Sequence, residues 1–246
     1  MKTDAALLAD LIKESRQAAF FGGAGVSTES GIPDFRSAAG LYHQRRTIPP
    51  ETILSRSFFL SQPEVFYTYY KENLLSPAAR PNAAHKALAR LEKEGRLSGV
   101  VTQNIDGLHQ AAGSQRVLEL HGTIHSNTCM RCGKKHGLDD ILKSIGAPAC
   151  VCGGLVRPDV VLYEEGLDEE VTREAALLIS QADLLMVGGT SLSVYPAAGF
   201  ARLCPGKLVI INRDPTPMDR EADLLIRSPI GQVFEQVMAI LGLPIS

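Results

Sequence analysis

Residues 20–36 decide the fold, and they read Phe20-Phe21-Gly22-Gly23-Ala24-Gly25-Val26-Ser27-Thr28-Glu29-Ser30-Gly31-Ile32-Pro33-Asp34-Phe35-Arg36. The two aromatic residues follow Ala18 and Ala19, a pattern typical of the end of a short buried strand. The glycines after them let the backbone turn sharply and approach a ligand closely. Ser27 and Thr28 are placed to cap a helix whose N-terminal amides favour an anion. We therefore interpret this stretch as a cradle for a phosphate group.

The cradle differs from the glycine fingerprint of ordinary dehydrogenases. Thr28 stands where the third glycine of G-x-G-x-x-G belongs, and no acidic residue follows about twenty positions later to bind a ribose diol. Gly31 and Pro33 end any helix within a turn or two. The segment Asp34-Phe35-Arg36 is therefore predicted to form a loop beside the cradle, where its aromatic ring and its arginine could cover the reactive end of a nucleotide.

Length and charge limit the class of protein. The chain has 246 residues and a formal net charge of −2, which is compatible with one α/β domain plus an inserted module and offers no general basic surface for nucleic acid. The N-terminus lacks a signal pattern, and no apolar stretch of about 18 residues could span a membrane. We predict a cytoplasmic protein that acts on a protein or a small molecule.

Apolar segments alternate with segments of helical periodicity along most of the chain. Short buried strands are predicted at 18–21, 99–102, 117–120, 160–163, 184–187 and 207–211, and helices at 4–16, 82–94, 168–180 and 230–241. Residues 57–75 are predicted to form short helices, with Pro63 near the start of one. Near-continuous apolar strands between helices are typical of an α/β fold with a parallel sheet covered on both faces.

Polar residues follow two of the predicted strands. Gln103-Asn104-Ile105-Asp106 follows strand 99–102, and His121-Gly122 follows strand 117–120. Open α/β sheets bind ligands at this edge, so we expect one crevice. An imidazole there can accept a proton near neutral pH, which makes His121 the candidate general base. The other histidines are interpreted as surface or capping residues: His43, His85, His109, His125 and His136.

Four of the five cysteines form two closely spaced pairs. Cys129 and Cys132 make a C-x-x-C knuckle, and Cys150 and Cys152 make a tighter C-x-C knuckle. Four thiolates in this spacing predict a closed, structural zinc site with one ion per chain. A redox role for the first pair is the alternative, but that motif lacks the usual strand-then-helix setting. Cys204 is interpreted as a small buried apolar residue.

Together these motifs resemble the sirtuins, the NAD-dependent protein deacylases. The residues that carry the resemblance are Gly23 to Ser27, Gly31 to Arg36, Gln103 to Asp106, His121-Gly122, the paired cysteines, Arg157 to Val161, Gly189 to Leu192, Val194 to Ala197 and Asn212. They occur in the family's order and extend over essentially the whole chain.

The resemblance implies a two-domain architecture. Residues 1–36, 80–122 and 157–246 would form a Rossmann-type NAD-binding domain, while a helical module at 37–79 and a zinc-binding module at 123–156 would form a smaller domain. NAD, as co-substrate, and an acyl-lysine protein or peptide would meet between them. In the family's reaction the acyl group passes from lysine to ADP-ribose, with release of nicotinamide.

The resemblance also assigns site residues. NAD would be bound by Gly23, Ala24, Gly25, Thr28, Phe35, Arg36, Gln103, Ile105, Gly189, Thr190, Ser191 and Asn212. Asn104, Asp106 and His121 would be catalytic, with Ile105 and Asp106 lining the nicotinamide pocket and His121 deprotonating a ribose hydroxyl. Val160, Val161 and Tyr163 would bind the substrate, and residues 160–163 would pair with it as an added strand.

Three departures from the family pattern refine these expectations. Gly22 stands where the family commonly has Thr, and Tyr163-Glu164-Glu165 replaces Phe-Gly-Glu. The added acid predicts a preference for basic residues flanking the acyl-lysine. Residues 67–70 lack the arginine of the Tyr-x-x-Arg pair found in sirtuins that remove succinyl groups, so a neutral acyl group is expected.

Two other functions share parts of the pattern. NAD-dependent mono-ADP-ribosyl transfer uses the first half of the same reaction. A non-catalytic module that binds NAD or ADP-ribose would need the cradle, but it would not need His121, Asn104 and Asp106 together.

Overall fold

The computed structural model describes residues 2–34, 40, 47–193 and 197–245. The described helices are α1 (Asp4–Glu14), α2 (Pro50–Ile53), α3 (Arg56–Ser61), α4 (Pro63–Asn73), α5 (Ala83–Lys93), α6 (Leu108–Ala112), α7 (Leu138–Lys143), α8 (Glu169–Ser180) and α9 (Ile230–Leu241). The described strands are β1 (Ala18–Gly22), β2 (Val100–Thr102), β3 (Val117–Glu119), β4 (Gly122–Cys129), β5 (Lys135–Gly137), β6 (Val156–Val160), β7 (Leu184–Gly188), β8 (Lys207–Ile211) and β9 (Leu224–Ile226).

Six strands form a parallel sheet in the order β3-β2-β1-β7-β8-β9. Every residue of β1 and β7 is buried, because apolar clusters cover both faces of the sheet. Phe20 points into the cluster formed with α1, α5 and α9, and Phe21 points into the cluster formed with α8. The predicted α/β class with a covered parallel sheet is confirmed.

Strands β4, β5 and β6 form a separate antiparallel sheet in the order β5-β4-β6. An aromatic cluster from α3 and α4 packs on this sheet, and Phe66 in it contacts Tyr67 edge to face with ring centroids 5.3 Å apart. The Tyr67 hydroxyl donates a hydrogen bond to the Val156 carbonyl at 2.6 Å. The short helices predicted at 57–75 are confirmed, and Pro63 is the first residue of α4.

Several predicted elements differ from the observed ones. The strand predicted at 160–163 is wrong in its extent: β6 runs from Val156 to Val160, and Tyr163 forms only an isolated parallel bridge with Ser55. Strands β4, β5 and β9 were not predicted. Strand β6 could not be recognised from its polar sequence Arg157-Pro158-Asp159. Polar residues are tolerated there because one face of the small sheet is partly exposed to water.

Two histidines lie in the interior between the parallel sheet and its helices. His85 is confirmed as a capping residue, since it completes the capping box of α5 with Asn82. The interpretation of His109 as a surface or capping residue is wrong: it is buried, and its ring lies 4.7 Å from the ring of His85. None of the described helices combines the length and apolar character needed to cross a membrane.

Candidate active site

A cleft of about 830 Å³ opens at the carboxyl ends of β1, β2, β7 and β8. All the predicted NAD, catalytic and substrate residues that the structure describes line it: Gly23, Ala24, Gly25, Thr28, Gln103, Asn104, Ile105, Asp106, His121, Val160, Val161, Tyr163, Gly189, Thr190, Ser191 and Asn212. Phe35 and Arg36 lie outside the described residues. The structure thus brings together residues that are up to 189 positions apart in sequence, from 23 to 212.

The floor of the cleft consists of two glycine turns in backbone contact. The amide of Gly23 donates to the carbonyl of Gly188 at 3.2 Å, and the amide of Gly25 donates to that of Gly189 at 2.8 Å. A Cβ at Gly25 would lie 2.7 Å from the Cα of Gly189, and Gly189 itself has a left-handed φ of 58°. Only glycine fits both positions, so the turns can meet closely beneath a ligand.

Steric packing explains why position 22 is a glycine. A Cβ on Gly22 would lie 2.7 Å from Cε1 of Phe20, whose ring occupies this space in the core. In this chain a side chain at position 22, such as the family's Thr, would displace that ring. The glycine at position 22, where the family commonly has Thr, therefore leaves room for the Phe20 ring beneath the cradle.

Ser27 links two of the predicted catalytic residues. The amide nitrogen of the Asn104 side chain donates to Ser27 Oγ at 3.0 Å, and Ser27 Oγ donates to Asp106 Oδ2 at 2.6 Å. The other Asp106 oxygen accepts from the backbone amide of Leu108 at 2.9 Å. Ser27 is fully buried, so this directional chain fixes both side chains.

The predicted role of Ser27 as a helix cap is wrong. Residues Ala24–Val26 and Thr28–Ser30 form two short 3-10 helices, and the Ser27 side chain caps neither. Gly31, at φ 84°, ends the second one. The signal available in the sequence was that Gly31 and Pro33 leave no room for a helix that a serine would need to cap.

His121 has its protonation pattern set by one contact. Its Nδ1 lies 2.9 Å from the carbonyl oxygen of Gln103. Because a carbonyl only accepts, Nδ1 carries the proton and Nε2 keeps its lone pair. Burial lowers the pKa of His121 below its ordinary value of 6.5, and the hydrogen bond to Gln103 opposes this only in part. The imidazole is therefore a neutral proton acceptor at pH 7.

Hydrogen bonds fix the cleft residues that follow β2, β7 and β8. The Gln103 amide donates to Thr190 Oγ1 at 3.0 Å, which ties the end of β2 to the end of β7. The guanidinium of Arg227 donates to the carbonyl of Asn212 at 3.0 Å and also pairs with Asp219. Arg227 thus fixes the loop after β8, and it was missed because it lies 15 positions beyond Asn212.

The predicted substrate segment is anchored on one edge by backbone hydrogen bonds. The amide of Val161 donates to the His121 carbonyl at 2.9 Å. Tyr163 uses its amide toward Leu54 and its carbonyl toward the amide of Arg56, both at 3.0 Å. The main chain of Tyr163 is therefore engaged by residues 54–56 on one edge, and pairing of residues 160–163 with a substrate peptide on the other edge stays a prediction.

The four paired cysteines converge at one end of the antiparallel sheet. The sulfur atoms of Cys129, Cys132, Cys150 and Cys152 all lie within 4.8 Å of one another. A Cβ at Gly154 would lie 2.8 Å from the sulfur of Cys129, so glycine is needed for the tight C-x-C turn to close. Four converging thiolates fit tetrahedral zinc, and the shorter knuckle does not prevent it.

Comparisons with known proteins agree with this geometry. The Sir2 family model matches residues 23–196. The chain is 53% identical to the NAD-dependent protein deacetylase of Clostridium acetobutylicum, over 94% of this chain and 96% of that protein. It is 42% identical to the NAD-dependent protein deacetylase of Thermotoga maritima, over 93% and 95%.

Solved structures give the same result. A Sir2 structure with deacetylated p53 peptide and 3'-O-acetyl-ADP-ribose has a TM-score of 0.92 at 41% identity, covering 99% of this chain and 100% of that one. A Sir2 complex with p53 peptide and NAD+ has a TM-score of 0.87 at 42% identity, covering 98% and 99%. With the family model, the full-length relatives and the fold in agreement, the chain belongs to the Sir2 family.

Proposed function

We propose that the protein is an NAD-dependent protein lysine deacetylase, which transfers a neutral acyl group from lysine to ADP-ribose and releases nicotinamide. The observation that carries this proposal is the placement of His121. Its Nε2 is an unprotonated acceptor in the same cleft as the glycine turns and the Asn104–Ser27–Asp106 chain. A site that only bound NAD would not need a proton acceptor there.

Residues in different parts of the cleft are assigned different roles in the reaction. NAD, when bound, supplies a sugar carbon that loses nicotinamide and accepts the acyl oxygen. The turns at Gly23 to Gly25 and Gly189 would hold its phosphates, and Asn212, which lines the same cleft, would contribute to binding it. Ile105 and Asp106 line the nicotinamide pocket. His121 takes the proton of a ribose hydroxyl on Nε2, while the Gln103 carbonyl holds the ring in the required tautomer.

The cleft favours an uncharged acyl group. Of the described residues that line it, Arg213 alone is a cation at pH 7, and it follows β8 on the NAD side. The helical segment contributes Leu54, Asn73 and Leu74, none of which carries charge. A succinyl-type carboxylate would therefore lack a partner among the described residues on the substrate side, so acetyl or a longer neutral acyl group is the proposed substrate.

We extend the proposal to organisation and location. The proposed division has an NAD-binding domain (1–36, 80–122 and 157–246), a helical module (37–79) and a zinc-binding module (123–156). The two separate sheets support it, except that β6 (Val156–Val160) belongs to the antiparallel sheet and falls mostly in the NAD-binding range. A cytoplasmic location stays a prediction. It is supported by the cysteines of the described residues, which are free thiols and do not form the disulfides typical of secreted proteins.

The test is incubation of the purified protein with NAD and an acetyl-lysine peptide, following peptide mass and nicotinamide together. One nicotinamide per acetyl group lost is expected. His121→Ala should lower the rate by about 10²–10⁴-fold, the usual contribution of a general base. Glu170→Gln, which alters an exposed side chain on α8, is the control. Nicotinamide release without deacylation would favour ADP-ribosyl transfer, and no turnover with any neutral acyl chain would favour a binding module.

A further inference from the structure

Glu164 has a backbone conformation that is unusual for its residue type. Its φ is 76°, in the left-handed region, and among the described residues only Leu192 shares this property without being glycine. The family commonly has glycine at this position, which adopts that conformation without steric cost. Some interaction of the Glu164 side chain must therefore favour keeping a glutamate in this turn.

The carboxylate of Glu164 is bound by the start of α3. Its Oε2 accepts from the backbone amide of Ser57 at 2.9 Å, and its Oε1 accepts from Ser57 Oγ at 2.7 Å. Ser57 lies in the first turn of α3, where backbone amides have no partner within the helix. These two hydrogen bonds are the main reason that the pKa of Glu164 lies below its ordinary value of 4.5.

The neighbouring residues fix the same turn from the other side. The Glu165 carboxylate accepts from the amide of Leu162 at 2.9 Å and pairs with Arg157 at 2.5 Å. Tyr163 is bound through its main chain to residues 54–56. Residues 162–165, here called the substrate turn, are thus tied to β6 by Glu165. They are tied to the helical segment by the main chain of Tyr163, by Glu164 and by the ion pair of Glu165 with Arg56 at 3.7 Å.

The substrate turn borders two cavities. Tyr163 and Glu164 line the active-site cleft on one side. On the other side they line a second, shallower cavity of about 540 Å³, together with Thr52 and Ser61. Because the same two residues line both cavities, a shift of this turn would change the cleft on the side where a peptide is expected to enter.

We propose that Glu164 is a positioning residue, whose carboxylate holds the substrate turn against α3 and so sets the affinity for the peptide. This inference rests on the proposed function for the identity of the substrate. It is an alternative to the expectation that Glu164 recognises basic residues of the peptide, and it is favoured by the hydrogen bonds of both carboxylate oxygens to Ser57. A glycine at position 164 could adopt the turn but would lack the two hydrogen bonds to Ser57.

Substitution at position 164 separates the two roles. Glu164→Gly keeps the backbone conformation and removes the tie. Glu164→Gln removes the charge but keeps an oxygen that can accept from the Ser57 amide. Steady-state kinetics are measured for each variant with two acetyl-lysine peptides that differ only in basic or neutral flanking residues. Glu170→Gln removes a carboxylate on the exposed side of α8 and serves as the control.

If the carboxylate positions the turn, Glu164→Gly should raise the KM of both peptides about tenfold, the cost expected for a charge-assisted hydrogen bond. Its kcat and its KM for NAD should change by less than about twofold, and Glu164→Gln should recover most of the peptide KM. The proposal is overturned if Glu164→Gly leaves the peptide KM unchanged. It is also overturned if both variants lose the same preference for the basic peptide.

A double-mutant cycle with Ser57→Ala adds an independent readout. Because Ser57 and Glu164 share one interaction, the double variant Ser57→Ala/Glu164→Gly should be no weaker than Glu164→Gly alone. Additive effects would contradict the proposal. Binding of a fluorescent acetyl-lysine peptide is measured in parallel, so that the variants can be compared even if the wild-type protein shows no turnover. In that case the proposed function fails while the positioning role is still decided.

Discussion

The two sheets form walls of one cleft but are stabilised by different chemistry. In the parallel sheet, every residue of β1, β2 and β7 is buried, and apolar clusters cover both faces. In the antiparallel sheet, only three residues of β4 are buried, and one of them is Asn127. The parallel sheet can therefore rely on apolar burial, whereas the antiparallel sheet depends on one aromatic cluster and on its four cysteines.

One strand connects the two kinds of chemistry. Strand β4 begins directly after His121 and ends at Cys129. Near its start, the amide of Ile124 donates to the carbonyl of Ile105 at 3.0 Å, which ties the strand to the segment predicted to line the nicotinamide pocket. Strand β4 therefore joins the cysteine cluster predicted to bind zinc at one end to the candidate general base at the other.

Removing zinc should give the largest effect and the sharpest contrast between the sheets. Either a strong chelator or Cys150→Ser should abolish zinc binding, which is worth about 10 kcal/mol or more in small zinc folds. We expect hydrogen exchange to rise by orders of magnitude in β4 and β6 while β1 and β7 stay protected. Deacetylation should be lost, because β4 no longer orders the residues beside His121.

Cys204 offers the matched control for that experiment. It packs against the parallel sheet, where its thiol donates to the carbonyl of Ala182 at 3.3 Å, well away from the cysteine cluster. Cys204→Ser should keep one zinc per chain and normal protection in β4. Unchanged exchange in β4 after the metal has been removed would show that the aromatic cluster alone holds the antiparallel sheet.

The same difference explains what the sequence could predict. Strands such as Leu184–Gly188 are continuous apolar runs because both faces are covered, so they can be recognised without knowing their partners. Strand β4 reads Gly-Thr-Ile-His-Ser-Asn-Thr-Cys, which shows neither a continuous run nor alternation. Both of its partner strands, β5 and β6, follow it in sequence, and its register is fixed by contacts with them that a local pattern does not contain.

Acid should weaken the parallel sheet through its buried histidines. Burial lowers the pKa of both His85 and His109 below 6.5, and the proximity of the two rings lowers that of His109 further. The unfolded chain binds protons near pH 6.5 but the native state does not. This stabilisation is therefore complete above pH 6.5 and is lost as the pH falls toward the native pKa values.

Between pH 6.5 and 5 we expect a loss of about 2–4 kcal/mol in the free energy of unfolding. The measurement is the urea midpoint as a function of pH at constant free zinc, with hydrogen exchange in α5 and α6 as the local readout. His109→Leu, which removes one titrating group at similar volume, should flatten the pH dependence. An equal slope in the variant would assign the acid sensitivity to other groups.

The candidate site shows the same limit at the level of side chains. His121 was found because a histidine next to glycine at the end of an apolar strand is a local pattern. Ser27 was misassigned because its partners, Asn104 and Asp106, are 77 and 79 positions away. The roles of Tyr163 and Glu164 depend on residues 54–57, about 107 positions earlier, and no local pattern reports such contacts.

Two neighbouring tyrosines on α4 allow the smallest predicted effect on the stability of the antiparallel sheet to be measured. The Tyr67 hydroxyl bonds the Val156 carbonyl at 2.6 Å, whereas the buried Tyr70 hydroxyl has no hydrogen-bond partner among the described residues. Tyr67→Phe should lower the free energy of unfolding by about 1–2 kcal/mol, since it leaves a buried carbonyl of β6 with one partner fewer. Tyr70→Phe should be neutral or slightly stabilising, because it removes a hydroxyl that is desolvated without compensation. Urea unfolding of the two variants, with exchange in β6 as the local readout, measures the difference; equal effects would mean that helix α4 holds the antiparallel sheet through ring packing alone.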